Sequence, residues 1–177
     1  ETIESNGILL IPSFAVERAQ LLMYYLWQLK NARSIPDIPV YLDSPMGANV
    51  LKILHHSSKW HKLSAADCEE MCRNIKVTTS YKDTLEIMRD SKPKVIIAGS
   101  GMVNGGRILN YLAQYSYKET TTILLAGYQA EGTNGRHLQE GAEELKIYGK
   151  YYRVKAKVDT LHGLSAHADQ DELLNWL

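Results

Sequence analysis

The 177-residue sequence carries 20 Lys and Arg against 20 Asp and Glu, a formal net charge of zero. That length suits one domain with at most a small appendage, and it can bury a core without staples. The charge balance excludes a globally basic nucleic-acid binder; with no signal peptide and no long apolar run, a cytoplasmic protein without a membrane span is expected.

Gly7 to Ile11 (GILLI) is a continuous apolar run, as expected of a strand covered on both faces. PSFAVERAQLLMYYLWQLK follows at helical spacing through Leu29, with Ser13 as a candidate N-cap. Pro39 to Leu42 predicts a second strand, ending in DSPMG and leading into the helical ANVLKILHHSS. Asp43, at its tip, reads either as a functional acid or as the cap of that helix. His55, His56 and His61 read as surface or packing residues. Helix is predicted from about Ser64 to Asn74, a brief strand from Ile75 to Thr78, and helix again from Tyr81 to Ser91. Cys68 and Cys72, four apart, are spaced for one helix face rather than for a disulfide. Without a second pair or a matching His they make no zinc site and read as small core residues.

Lys94 to Ala98 is the third clear strand, followed by GSGMVNGGR and the helix RILNYLAQY. Thr121 to Ala126 is the fourth, followed by GYQAEGTNGRHLQEG. Leu145 to Tyr148 and a basic strand from Arg153 to Leu161 close the series. Lys146, Lys150, Arg153, Lys155 and Lys157 succeed one another with no acid between them. They suit a binding stripe or an edge guarded by Lys equally well. LHGLSAHAD then leads into DQDELLNWL, where Asp169 and Glu172 have capping-box spacing.

Strands alternating with helices predict an α/β fold: a Rossmann-like, mostly parallel sheet flanked by helices. Ligands of such sheets bind beyond the carboxyl ends of the strands. PSF, DSPMG, GSGMVNGGR and GYQAEGTNGR should gather there, with LHGLSAHAD joining them. The glycines at 99, 101 and 105 fail the dinucleotide fingerprint, since they read G-x-G-x-x-x-G and do not follow the first strand. Their loop suits phosphate contact or a tight turn. Arg136 suits a phosphate clamp or a pair with Glu131 or Glu140. Ser165 and His167 could form a nucleophile pair, but neighbours two apart rarely have the geometry and no third orienting group is evident; no complete metal cluster is visible.

In this order, IPSFAVERAQ, YLDSPMG, AGSGMVNGGRI, LAGYQAEGTNGR and GLSAHAD strongly resemble the β-CASP domain of metallo-β-lactamase-fold nucleases. That family includes the 3′-end processing endonucleases and the ribonuclease J group. The resemblance covers essentially the whole chain. It implies a β-CASP domain over 1–158, inserted in a metallo-β-lactamase domain whose returning segment begins at 159–177. The full-length protein would be a zinc-dependent ribonuclease hydrolysing RNA phosphodiester bonds in the cleft between the two domains. Two zinc ions would be held mainly by the lactamase domain, with none bound by this stretch.

GLSAHAD matches the family's motif B, which implies that His167 acts on the scissile phosphate or the leaving oxygen. An imidazole, ordinarily titrating at about 6.5, suits proton transfer near neutrality. Ser165 looks like a phosphate contact, with Ser13, Ser100, Arg107 and Arg136 as further phosphate or cleft contacts. The H-x-H-x-D-H motif, the motif A acid and the motif C histidine are missing, so the stretch by itself is expected to be inactive and cut from a longer chain. Expected partners are single-stranded RNA and the missing lactamase domain; a homodimer is compatible. The alternative is a non-catalytic nucleotide- or nucleic-acid-binding module, such as a pseudo-nuclease subunit.

Overall fold

The apolar run after Gly7 is buried between neighbours on both sides. In the computed structural model, which describes residues 1–164 and 167–177, six strands form one sheet. They are β1 (Ile8–Pro12), β2 (Val40–Asp43), β3 (Lys76–Thr78), β4 (Lys94–Ala98), β5 (Thr122–Leu125) and β8 (Lys157–Thr160). Their order is β3-β2-β4-β1-β5-β8 and every pairing is parallel. A separate antiparallel hairpin joins β6 (Glu144–Ile147) to β7 (Lys150–Arg153). One face of the sheet packs against α1 (Arg18–Asn31), α2 (Pro45–His56) and α3 (Ala65–Arg73), with Met23, Leu51 and Met71 over Ile11, Leu42 and Ile97. The other packs against α4 (Tyr81–Arg89), α5 (Ile108–Tyr115) and α6 (Asn134–Gln139), with Ile87, Leu112 and Leu138 against Leu10, Ile96 and Ile123. Burial of β4, and of β1 except at Leu9, on both faces is why these strands read as unbroken apolar runs. The α/β expectation is met.

Two local expectations are corrected. Ser13 caps no helix: α1 starts five residues later, after Glu17, which has φ 60° and makes no side-chain cap. Ser13 continues the strand instead, its N–H donating to the Ala98 carbonyl at 3.0 Å. The basic strand predicted from Arg153 to Leu161 is two strands, β7 and β8. At the break the Lys155 and Ala156 N–H groups donate to the Ser116 carbonyl (2.8 and 2.9 Å), outside any ladder. Lys155 and Lys157 find acids distant in sequence, Glu119 at 3.3 Å and Glu1 at 3.4 Å. The capping box at Asp169 and Glu172 forms at the start of α7 (Gln170–Trp176).

Asp43 does not cap α2; Ser44 does, accepting from the Gly47 N–H at 3.0 Å. The Asp43 carboxylate is wholly buried and accepts from Thr78 (2.9 Å), Thr84 (2.7 Å), Tyr111 (2.6 Å) and Arg107. Arg107 also donates to the Thr79 and Ser80 carbonyls. Burial, with the carboxylate beside it, holds the Tyr111 phenol well above its ordinary pKa, so it stays a donor. Asp43→Ala removes the acceptor shared by a guanidinium and three hydroxyls. It should lower unfolding free energy by about 3–5 kcal/mol, read from urea denaturation; a loss within about 1 kcal/mol would contradict this role.

Candidate functional site

Beyond the carboxyl ends of β1, β4, β5 and β8 lies a cleft of about 680 Å³. Ser13 and Phe14 enter it after β1, Gly101 and Met102 after β4, and Gly127, Tyr128 and Gln129 after β5. Arg136 comes from α6, Arg18 from the first residue of α1, and His162 and His167 from beyond β8. No Asp or Glu is among the described residues lining it, so two guanidinium groups and two imidazoles face a space without a lining carboxylate. That electrostatic balance favours an anion. DSPMG, expected to join the other loops, stays out of the cleft because Asp43 turns into the core.

The Gly-rich loops are built to hold each other. Gln129 is buried, and its Nε2 donates to the Gly101 and Gly127 carbonyls at 3.2 and 3.1 Å. The Gly135 N–H donates to the Met102 carbonyl at 3.1 Å, and Asn134 donates to Asn104 Oδ1 (2.9 Å) and the Val103 carbonyl (3.1 Å). A Cβ on Gly135 would sit 1.7 Å from Gln129 Oε1, so a side chain there would displace Gln129 from its bonds. The turns after β4 and β5 thereby form one rigid floor. Thr133 caps α6, accepting from the Arg136 N–H at 3.2 Å, and directs the Arg136 side chain to the cleft.

The predicted residues separate into three groups. His167, Arg136 and Ser13 line the cleft. His167 is exposed there; Arg136 also pairs through Nε with Glu140 at 2.6 Å; and the buried Ser13 hydroxyl donates to the Phe14 carbonyl at 3.0 Å. Ser100 and Arg107 do not reach it. Ser100 accepts from the Asn104 N–H at 3.2 Å and closes its own turn, while Arg107, expected as a phosphate contact, is drawn to Asp43 by the stronger attraction of a buried carboxylate. Ser165 lies outside the described residues.

Arg18 is the cleft residue that sequence reasoning missed. It donates to the Ala126 carbonyl, and its Nε is buried without a partner among the described residues. Read as the interior of a helix starting at Ser13, it carried no signal. Starting the helix at Arg18 puts it at the sheet edge, where a Cβ on Gly127 would meet its Nη1 at 2.2 Å.

Among the described residues no group of three or more His, Cys, Asp or Glu could hold a metal ion, so these residues alone do not fit a zinc centre. Cys68 is buried and Cys72 half-buried, and neither is in a disulfide. Burial, with the Cys68 thiol next to it, pushes the Cys72 thiol up to about 11. A thiol reacts as its thiolate. At pH 8 Cys72 should therefore alkylate roughly a hundredfold more slowly than free cysteine, followed by iodoacetamide labelling and peptide mass spectrometry; labelling at the free rate would contradict this environment.

Comparison with known proteins adds identity to this geometry. Residues 19–138 match the family model of the Beta-Casp domain, and residues 151–177 that of the Zn-dependent metallo-hydrolase RNA specificity domain. Over its whole length the chain is 34% identical to a protein named as a ribonuclease from Thermus thermophilus, of which it covers 42%. It is 31% identical over 99% of its length to the transcription termination factor FttA of Methanosarcina mazei, covering 29% of that protein. To an RNase J-like protein of Methanocaldococcus jannaschii it is 30% identical over its whole length, covering 41% of that protein. The chain thus spans less than half the length of these relatives.

Proposed function

The chain belongs to the β-CASP domain family, and from that premise we propose that it forms the RNA-facing wall of a zinc-dependent ribonuclease. The observation that carries this reading is the cleft at the strand ends, lined by Arg18, Arg136, His162 and His167 and by no acid among its described residues. A phosphodiester is anionic, and guanidinium groups position it through charge-assisted hydrogen bonds. Arg136 and Arg18 hold backbone phosphates flanking the cleavage point. His167 faces the scissile phosphate, where an imidazole donates a proton to the leaving oxygen. Ser165, two residues earlier, is a further phosphate contact in this scheme. Two zinc ions belong to the parent enzyme and are held by residues outside this chain, in a metallo-β-lactamase domain that resumes after residue 158. The substrate is single-stranded RNA, and the enzyme works in the cytoplasm.

In the intact parent protein, His167→Ala should slow cleavage of labelled single-stranded RNA by about 10²–10⁴-fold while zinc content by elemental analysis stays at the wild-type level. A wild-type rate would remove His167 from the mechanism. Arg136→Ala should weaken RNA binding and lower the slope of log affinity against log salt by about 0.7, measured by anisotropy. An unchanged slope would remove Arg136 from the phosphate path. RNA binding without any cleavage by the intact wild-type protein would leave a non-catalytic binding module.

A further inference from the structure

The connections of the sheet leave part of one face without cover. In the order β3-β2-β4-β1-β5-β8, the crossovers from β1 to β2 and from β2 to β3 step toward one edge, and the later ones step back toward the other. Right-handed crossovers place the helices of these two directions on opposite faces. α1, α2 and α3 therefore cover their face from β3 to β1, and none of the chain's crossovers covers β5 on that face. Interior parallel strands are ordinarily buried on both faces. Here an apolar groove of about 780 Å³ remains, lined by Leu9 and Leu124 of the sheet, Leu22 and Leu26 of α1, and Leu161 and Leu164 beyond β8. Leu9 and Leu124 are only half-buried, although their strands pair on both sides.

The first residues of the chain point to the occupant. The Ser5 N–H donates to the Glu1 carbonyl at 3.0 Å, the i to i−4 bond of an α-helix. The Asn6 N–H then donates to the Ile3 carbonyl (3.0 Å) and the Gly7 N–H to the Thr2 carbonyl (2.8 Å), around an Asn6 with φ 55°. A 5→2 and a 6→1 bond about a left-handed residue make a Schellman motif, the way an α-helix ends. A single turn has no stability of its own, because helix nucleation is costly. This last turn is tied to the sheet: the Thr2 hydroxyl lies 2.7 Å from that of Thr122, Gly7 approaches the Thr120 carbonyl too closely for any Cβ, and Ile3 lines the groove.

We propose that the residues preceding Glu1 in the parent protein form an amphipathic α-helix that ends at this motif and lies in the groove, completing the cover of β1 and β5. The relatives supply the room for such a segment, since the chain spans 42% or less of their length. Helical periodicity requires apolar residues at the positions three, four and seven before Ile3. This inference is independent of the catalytic reading.

The test uses the intact parent protein. Hydrogen exchange should find the amides of the ten residues before Glu1 protected at least about a hundredfold over coil rates. Leu26→Glu should reduce that protection to near unity while the amides of β4 remain protected. A photo-crosslinking side chain at position 29, on the rim of the groove, should capture a peptide that precedes Glu1. Coil-like exchange before Glu1 would overturn the proposal. So would capture of a peptide from beyond Leu177, or of a second copy of the chain.

Discussion

A carboxylate with no exposure to solvent joins the parts of this fold that sequence keeps furthest apart. Asp43 closes β2, and its two oxygens collect Thr78 from β3, Thr84 from α4, Arg107 from the turn before α5 and Tyr111 from within it. Burying a charge is costly, and it is tolerated only where its lone pairs are all engaged. Here that requirement sets the register of β2 against β3 and the approach of α5 to α4. The same arrangement keeps Arg107 out of the cleft lining. A cation that looks available for phosphate in the sequence is committed to architecture.

The consequence for the cleft is a division of labour between the two halves of the sheet. On the β2–β3 side the strand ends are closed by the Asp43 cluster. On the β1–β4–β5–β8 side they stay open, and Gln129, Asn134 and Gly135 bind the two Gly-rich turns to each other. These turns are therefore less a cradle for a nucleotide than a rigid platform. What the platform presents is two guanidiniums and two imidazoles: Arg18, Arg136, His162 and His167. Such a set of groups, fixed in place and without a lining carboxylate, favours an anion.

The platform is also incomplete as a metal site among the described residues, which agrees with a chain that covers less than half of its relatives. α7 presents Leu173, Leu174 and Trp176 to solvent, and the groove beside α1 is apolar and open. Both are surfaces of the kind that a larger chain covers, because apolar area left in water costs about 25 cal/mol per Å².

Sequence by itself determined the class of fold and the place of most elements. The apolar runs of β1 and β4, the periodicity of α3, α4 and α5, and the capping box at Asp169 are local signals, written within a few residues and independent of distant partners. The order of the loop motifs likewise carried the family. Tertiary structure decided what those signals could not contain. Ser13 looked like a helix cap, yet its N–H pairs with β4 and the helix starts at Arg18, so a cleft cation was hidden inside an apparently ordinary helix. The basic strand broke in two because a carbonyl at Ser116, 39 residues before Lys155, accepts its N–H groups. Arg107 and Arg136 are both guanidiniums in Gly-rich segments, and only the buried carboxylate at Asp43 separates the structural one from the one facing the cleft. Partners far apart in sequence make these choices, and their geometry exists only once the sheet has assembled.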